Sequence, residues 1–99
     1  MGKAKVLDGY VYQRSSRKNK KLMVHVQTPQ GQSQWVHFGD SRHEHFYDRT
    51  GLLPQSLNHY DPLRRRLFLA RSKHMRDGDG VLTADNPSSA NYHARRVLW

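Results

Sequence analysis

Apolar and polar positions alternate cleanly in two stretches of the first half of the chain. Leu22, Val24 and Val26 alternate with Met23, His25 and Gln27, the period of a strand with one apolar face. In Gln34–Phe38, Val36 and Phe38 share one side while Trp35 and His37 share the other. Between them, Thr28-Pro29-Gln30-Gly31-Gln32-Ser33 is turn chemistry, because Pro presets φ and Gly tolerates a positive one. Upstream, Val6–Tyr12 is rich in β-favouring residues with partial alternation. A polar run, Arg14–Lys21, separates it from the second strand. The pattern predicts a three-stranded antiparallel meander over about residues 5–39.

The second half changes period. Ser41–Gly51 sustains none, and a short helical turn is expected after Pro54. Asp61-Pro62 then opens a helix, since Asp caps and Pro suits the first helical position. Over about residues 61–76, Leu63, Leu67, Ala70 and His74 fall on one face, with Phe68 and Met75 in an adjacent stripe. Asp77-Gly78-Asp79-Gly80 ends the helix as a turn. Pro87–Trp99 begins as a short helix and closes on Val97-Leu98-Trp99, apolar enough to pack back on the sheet or on a partner. The expected fold class is α+β: one domain, 1–99, with the sheet, a basic helix and a short C-terminal helix packed on it.

Composition adds a partner to this picture. Only 35% of the 99 residues are hydrophobic, but aromatics make up 10%, and each buries roughly 150–250 Å². There is no Cys, which excludes disulfides and thiolate metal sites. No apolar run reaches the ~18–20 residues of a membrane span, so no membrane partner is expected and the chain should stay soluble where it is made. Seventeen Lys and Arg face eight Asp and Glu, a formal charge of +9. Such a domain concentrates anions, so a polyanion or an acidic protein surface is the expected partner.

The charge sits in two places. Arg14, Arg17, Lys18, Lys20 and Lys21 occupy a hairpin tip that suits a groove or a phosphate backbone. Arg64, Arg65, Arg66, Arg71, Lys73 and Arg76 ring the helix, where Arg suits bidentate contact with carboxylate or phosphate. The bland use of these cations is a solvated face with internal salt bridges to Asp48, Asp61 and Asp85. Trp35, Leu98 and Trp99 are candidate apolar anchors, and Trp35 with Tyr10 or Tyr12 could stack bases on an open sheet.

Motifs for catalysis are sparse. His37, Asp40, His43, Glu44, His45 and Asp48 lie close together, and His-x-His puts two imidazoles on one side of an extended segment. No second ligand cluster or helical His-x-x-x-His accompanies them, and loop histidines are the simpler reading. No Gly-rich phosphate loop, Gly-x-Ser-x-Gly elbow, zinc finger or RNP pattern occurs. No metal, cofactor or small-molecule substrate is expected, and the chain reads as a non-enzyme.

Three motifs follow one another in fixed order: Val36-His37-Phe38-Gly39, then Tyr60-Asp61 leading into Arg64–Arg71, then Ser89-Ala90-Asn91-Tyr92 through Val97-Leu98-Trp99. Over about residues 36–99 this resembles a family of short, basic, largely uncharacterised proteins encoded by large DNA viruses and tailed phages. The chain departs from that pattern at Ala70-Arg71-Ser72, where His would follow the Arg, and in a longer Gly39–Asp61 segment. The resemblance implies a virion component, present in the host cytoplasm before assembly. The leading expectation is a minor capsid, decoration or head-associated protein that binds an acidic capsid surface through its basic patches. A sequence-nonspecific DNA- or RNA-binding protein for genome packaging or host takeover is the second. A metal-dependent nuclease built on residues 37–48 is the third.

Overall fold

A computed structural model describes residues 3–28 and 30–99. The architecture is α+β, with a four-stranded antiparallel sheet where three strands were expected. The strands β1 (Ala4–Leu7), β2 (Tyr10–Arg14), β3 (Lys20–Gln27) and β4 (Ser33–Asp40) pair in chain order. The extra strand comes from Asp8-Gly9. Asp8 has φ 52° and Gly9 φ 83°, and Leu7 lies opposite Tyr10. Two positive-φ residues make a type I′ turn, whose twist matches that of the flanking strands and for which Asp-Gly is a favoured pair. Val6–Tyr12 therefore folds back on itself instead of running straight. Pro29, part of the expected turn between β3 and β4, lies outside the described residues.

Register then sorts the two faces. Tyr12 lies opposite Val24, Val24 opposite Val36, and Leu22 opposite Phe38, so these side chains share the covered face. Val11 pairs with His25, Met23 with His37, and His25 with Trp35 on the other face. Lys21 breaks this alternation and is buried.

A 3-10 turn follows Pro54 at Gln55–Leu57, as expected. Helix α1 runs Pro62–Ser72, its first turn capped by the Asp61 carboxylate, which accepts from the Leu63 and Arg64 N–H groups. It stops short of residue 76 because the chain turns away: the Met75 carbonyl accepts from the Thr83 N–H, and Arg76 bridges to Leu82. In the turn that follows, the Asp77 carboxylate accepts from the Asp79 and Val81 N–H groups. Helix α2 runs Ala90–Val97 and is capped by Ser89.

α2 lies on β4, and α1 packs mainly against α2 rather than on the sheet, which corrects the expected arrangement of the long helix. Val97 and Leu98 join Tyr12, Leu22, Val24, Val26, Phe38 and Leu53 in the core. The apolar C-terminal residues thus pack back on the domain. The Leu98 carbonyl accepts from the Phe46 and Tyr47 N–H groups, and that of Val97 from Arg49. Asp48 accepts from the N–H groups of Thr50 and Leu53, so polar bonds order a stretch that carries no apolar period. Among the described residues, no helix is long and apolar enough to cross a membrane.

Candidate functional site

Helix α1 presents its predicted apolar row outward. At about 100° per residue, Arg65, Phe68, Leu69 and Ser72 fall on one side, and they are the partly or fully buried ones. Phe68 stacks on Trp99, with ring centroids 4.4 Å apart and planes 10° apart. Arg65 Nε donates to the Trp99 main-chain oxygen at 2.8 Å. Arg95 Nη1 donates to the Leu69 carbonyl at 2.6 Å and to Ser72 Oγ at 2.7 Å. Asn91 Nδ2 donates to the Ser72 carbonyl at 2.8 Å. The helix is held by one aromatic stack and a set of polar bonds. Leu63, Leu67, Ala70 and His74 point away from them, and the two leucines are 52% and 56% exposed.

Cations flank this row. Arg66 and Lys73 lie to one side of it, Arg64 and Arg71 to the other. Among the described residues, the ion pairs are Arg42–Asp40 at 2.9 Å, His43–Asp40 at 3.7 Å, Arg64–Glu44 at 3.1 Å and Arg96–Asp8 at 3.2 Å. Asp48, Asp61 and Asp85 make none, so the internal salt bridges of the bland reading do not form. Asp48 serves loop backbone and Asp61 caps α1. Arg66, Arg71 and Lys73 are exposed and form no ion pair, and the same holds for Arg14, Arg17 and Lys18 at the β2–β3 tip. Arg71 lies over the Phe68 ring at 5.8 Å, and exposed Arg76 donates to the Gly80 carbonyl. Lys20 is half-buried opposite Asp40.

Several expected contact residues lie inside the domain. Lys21 is only 7% exposed and donates from Nζ to His45 Nδ1 at 3.0 Å. Burial pulls its pKa down to about 8, against the pull of Asp40, Asp48 and Glu44. It therefore faces no partner. Its fate is set by His45, fully buried, whose Nε2 donates to Asn58 Oδ1 at 2.8 Å. Burial first, then the Lys21 cation, holds this imidazole below its usual pKa. Arg65 is half-buried and committed to the Trp99 oxygen. Leu98, at 1% exposed, is core rather than anchor. Trp99 is half-buried, its ring stacked on Phe68 of α1.

Trp35 alone of the three anchors lies open, 42% exposed beside His25 on the uncovered sheet face. Neither tyrosine joins it there. Tyr12 is core and donates its hydroxyl to His93 Nδ1 at 2.8 Å, while Tyr10 packs edge-on against His93. His93 Nε2 donates to the Pro87 carbonyl, and burial outweighs that bond to lower the pKa of the ring. The His-rich segment also disperses: His37 bonds Ser15 Oγ at 2.7 Å, His43 sits by Asp40, and His45 is buried. Among the described residues, no three His, Asp or Glu side chains gather to hold a metal ion.

α1 thus forms a ridge between two clefts. One, of about 720 Å³, is walled by Leu67, Phe68 and Met75 against Phe38, Ala94 and Leu98. The other, of about 700 Å³, is lined by Leu63, Arg66, Ala70, Lys73 and Arg95. Leu63 and Leu67 as surface residues escaped the sequence reading. The one available signal was Arg64-Arg65-Arg66, which at helical spacing puts a cation into every sector except that of Leu63, Leu67 and Ala70. Comparison with known proteins finds no matching family model, no matching curated protein and no matching solved structure.

Proposed function

We propose that the chain is a non-enzymatic protein of a viral or phage particle, a small capsid-associated or head-associated component that holds an acidic protein surface. One observation carries the choice of a protein partner: two exposed leucines on α1 lie between rows of cations, three of which form no ion pair. An apolar centre with a charged rim is the make-up of a protein–protein contact. A phosphate backbone answers the cations but leaves the leucines uncovered. The viral setting rests on the resemblance carried by residues 36–99, and no geometry adds to it.

Nucleic-acid binding stays as a second reading because of a different surface. Arg14, Arg17 and Lys18 crowd one hairpin tip, and Trp35 is exposed on the same sheet. Salt titrations separate the two. For the favoured reading, the purified chain binds capsid protein at physiological salt, weakens moderately as salt rises, and occurs at fixed stoichiometry in purified particles. Binding to duplex or single-stranded DNA that falls by about one power of salt per phosphate contact, with no retention by capsid protein, would replace it with the second.

A further inference from the structure

We infer that α1 docks one acidic amphipathic helix of the partner, laid along its outward row as a two-helix seam; this rests on the acidic-protein reading above. Leu63, Leu67 and Ala70 stand at helical spacings of four and three, so the row is one helix wide. It rises about 1.5 Å per residue, a length that two turns of a partner helix cover. Ala70 is small and lets the second backbone come close. The cations occupy the flanking sectors, where charges on a coiled-coil seam choose the partner. Arg66 and Lys73 form no ion pair, whereas on the opposite side Arg64 is shared with Glu44 and Arg71 lies over the Phe68 ring. Acids are therefore wanted most along the Arg66–Lys73 side.

Charge also decides against a second copy of this chain. Two α1 helices in register would set Arg or Lys rows against each other, and like charges along a seam are repulsive. A partner with leucines at the same spacing and Glu or Asp on both flanks meets every requirement at once.

The test uses the full chain and a designed peptide of about three heptads, with Leu at the seam positions and Glu on the flanks. A scrambled peptide of equal composition, polyglutamate, duplex DNA and phosphatidylserine vesicles serve as comparison ligands. Affinity is read by calorimetry, and peptide helicity by circular dichroism. The heptad peptide should bind at least ~10-fold tighter than the scramble, about 1.4 kcal/mol, and become helical on binding. Leu63→Gln with Leu67→Gln should remove that margin while lowering the melting temperature by no more than a few degrees, since both side chains are about half exposed. Arg66→Glu with Lys73→Glu should lose the Glu peptide and accept one whose Glu are replaced by Lys on that flank alone, the flank facing Arg64 and Arg71 keeping its Glu. If the scramble and polyglutamate bind as well as the heptad peptide, the seam is wrong while the acidic-partner reading stands. If no acidic peptide binds, both fall. Leucine-dependent binding to vesicles, to DNA, or between copies of the chain would assign the row to another occupant and overturn the proposal.

Discussion

The two helices make opposite use of their apolar residues. α2 is the shorter, yet it buries His93 and Val97 against the sheet and delivers Leu98 into the core. α1 is longer and carries three leucines, but turns two of them to solvent and buries Ser72. What distinguishes them is the surface each meets. α2 meets an apolar sheet face of Tyr12, Val24 and Phe38. α1 meets the flank of α2, where Arg95 and Asn91 offer donors and Trp99 offers a ring. A helix turns inward whichever side its neighbour can satisfy, and here that neighbour is polar.

Measurements on both helices would break or sharpen this contrast. Leu98→Ala opens a cavity in the fully packed region beside α2 and should cost about 2–5 kcal/mol in urea unfolding. A loss below 1 kcal/mol would mean that this end of the domain is not core. Arg95→Met removes two hydrogen bonds from a charged donor, leaving Ser72 Oγ without that partner while the Leu69 carbonyl keeps the Lys73 N–H, and should cost about 1.5–3 kcal/mol. Its effect should be local, so amide exchange speeds up in α1 while β3 stays protected.

Acid should weaken the domain as a whole, since burial lowers the folded pKa values of His37, His45, His59 and His93 alike. His45 and His93 have folded pKa values below their ordinary one. The unfolded chain then takes up protons first, so the stability they contribute is complete above about pH 6.5 and drains as pH falls through the lower folded values. Thermal melts from pH 7.5 downward should show that decline, and NMR titration should place both folded imidazoles below pH 6.5. Lys21 acts in a separate window. Its folded pKa of about 8 lies under the ordinary 10.5, so stability rises as pH climbs between those values. Least of all, Leu67→Ala on α1 should shift stability by no more than about 0.5 kcal/mol, as for a surface site. A large loss there would place the row inside the fold after all.

Strand periodicity was legible because one sheet face is buried along its length, so Leu22, Val24 and Val26 announce it. The start of α1 was legible because Asp61-Pro62 is a local signal. The extra strand was written in Asp8-Gly9, a short-range turn signal lost within a longer β-favouring run. The exposed cations of the candidate surface were legible from charge alone. The inward face of α1 and the burial of Lys21 were not, because each depends on a partner far along the chain: Arg95 and Trp99 for α1, His45 for Lys21. Period tells which residues share a face, but not which face finds cover.

The carbonyls of Val97 and Leu98 hold the N–H groups of Phe46, Tyr47 and Arg49. In kinetic terms this ties a central loop to residues roughly fifty positions later, a closure whose entropy must be met before any of those bonds can repay it. The β-meander needs only neighbouring strands and can zip from its turns. The segment around Asp48 has to wait for α2 to arrive. Refolding should therefore order the sheet first and residues 45–50 last, with stability and completion time set at opposite ends of the chain.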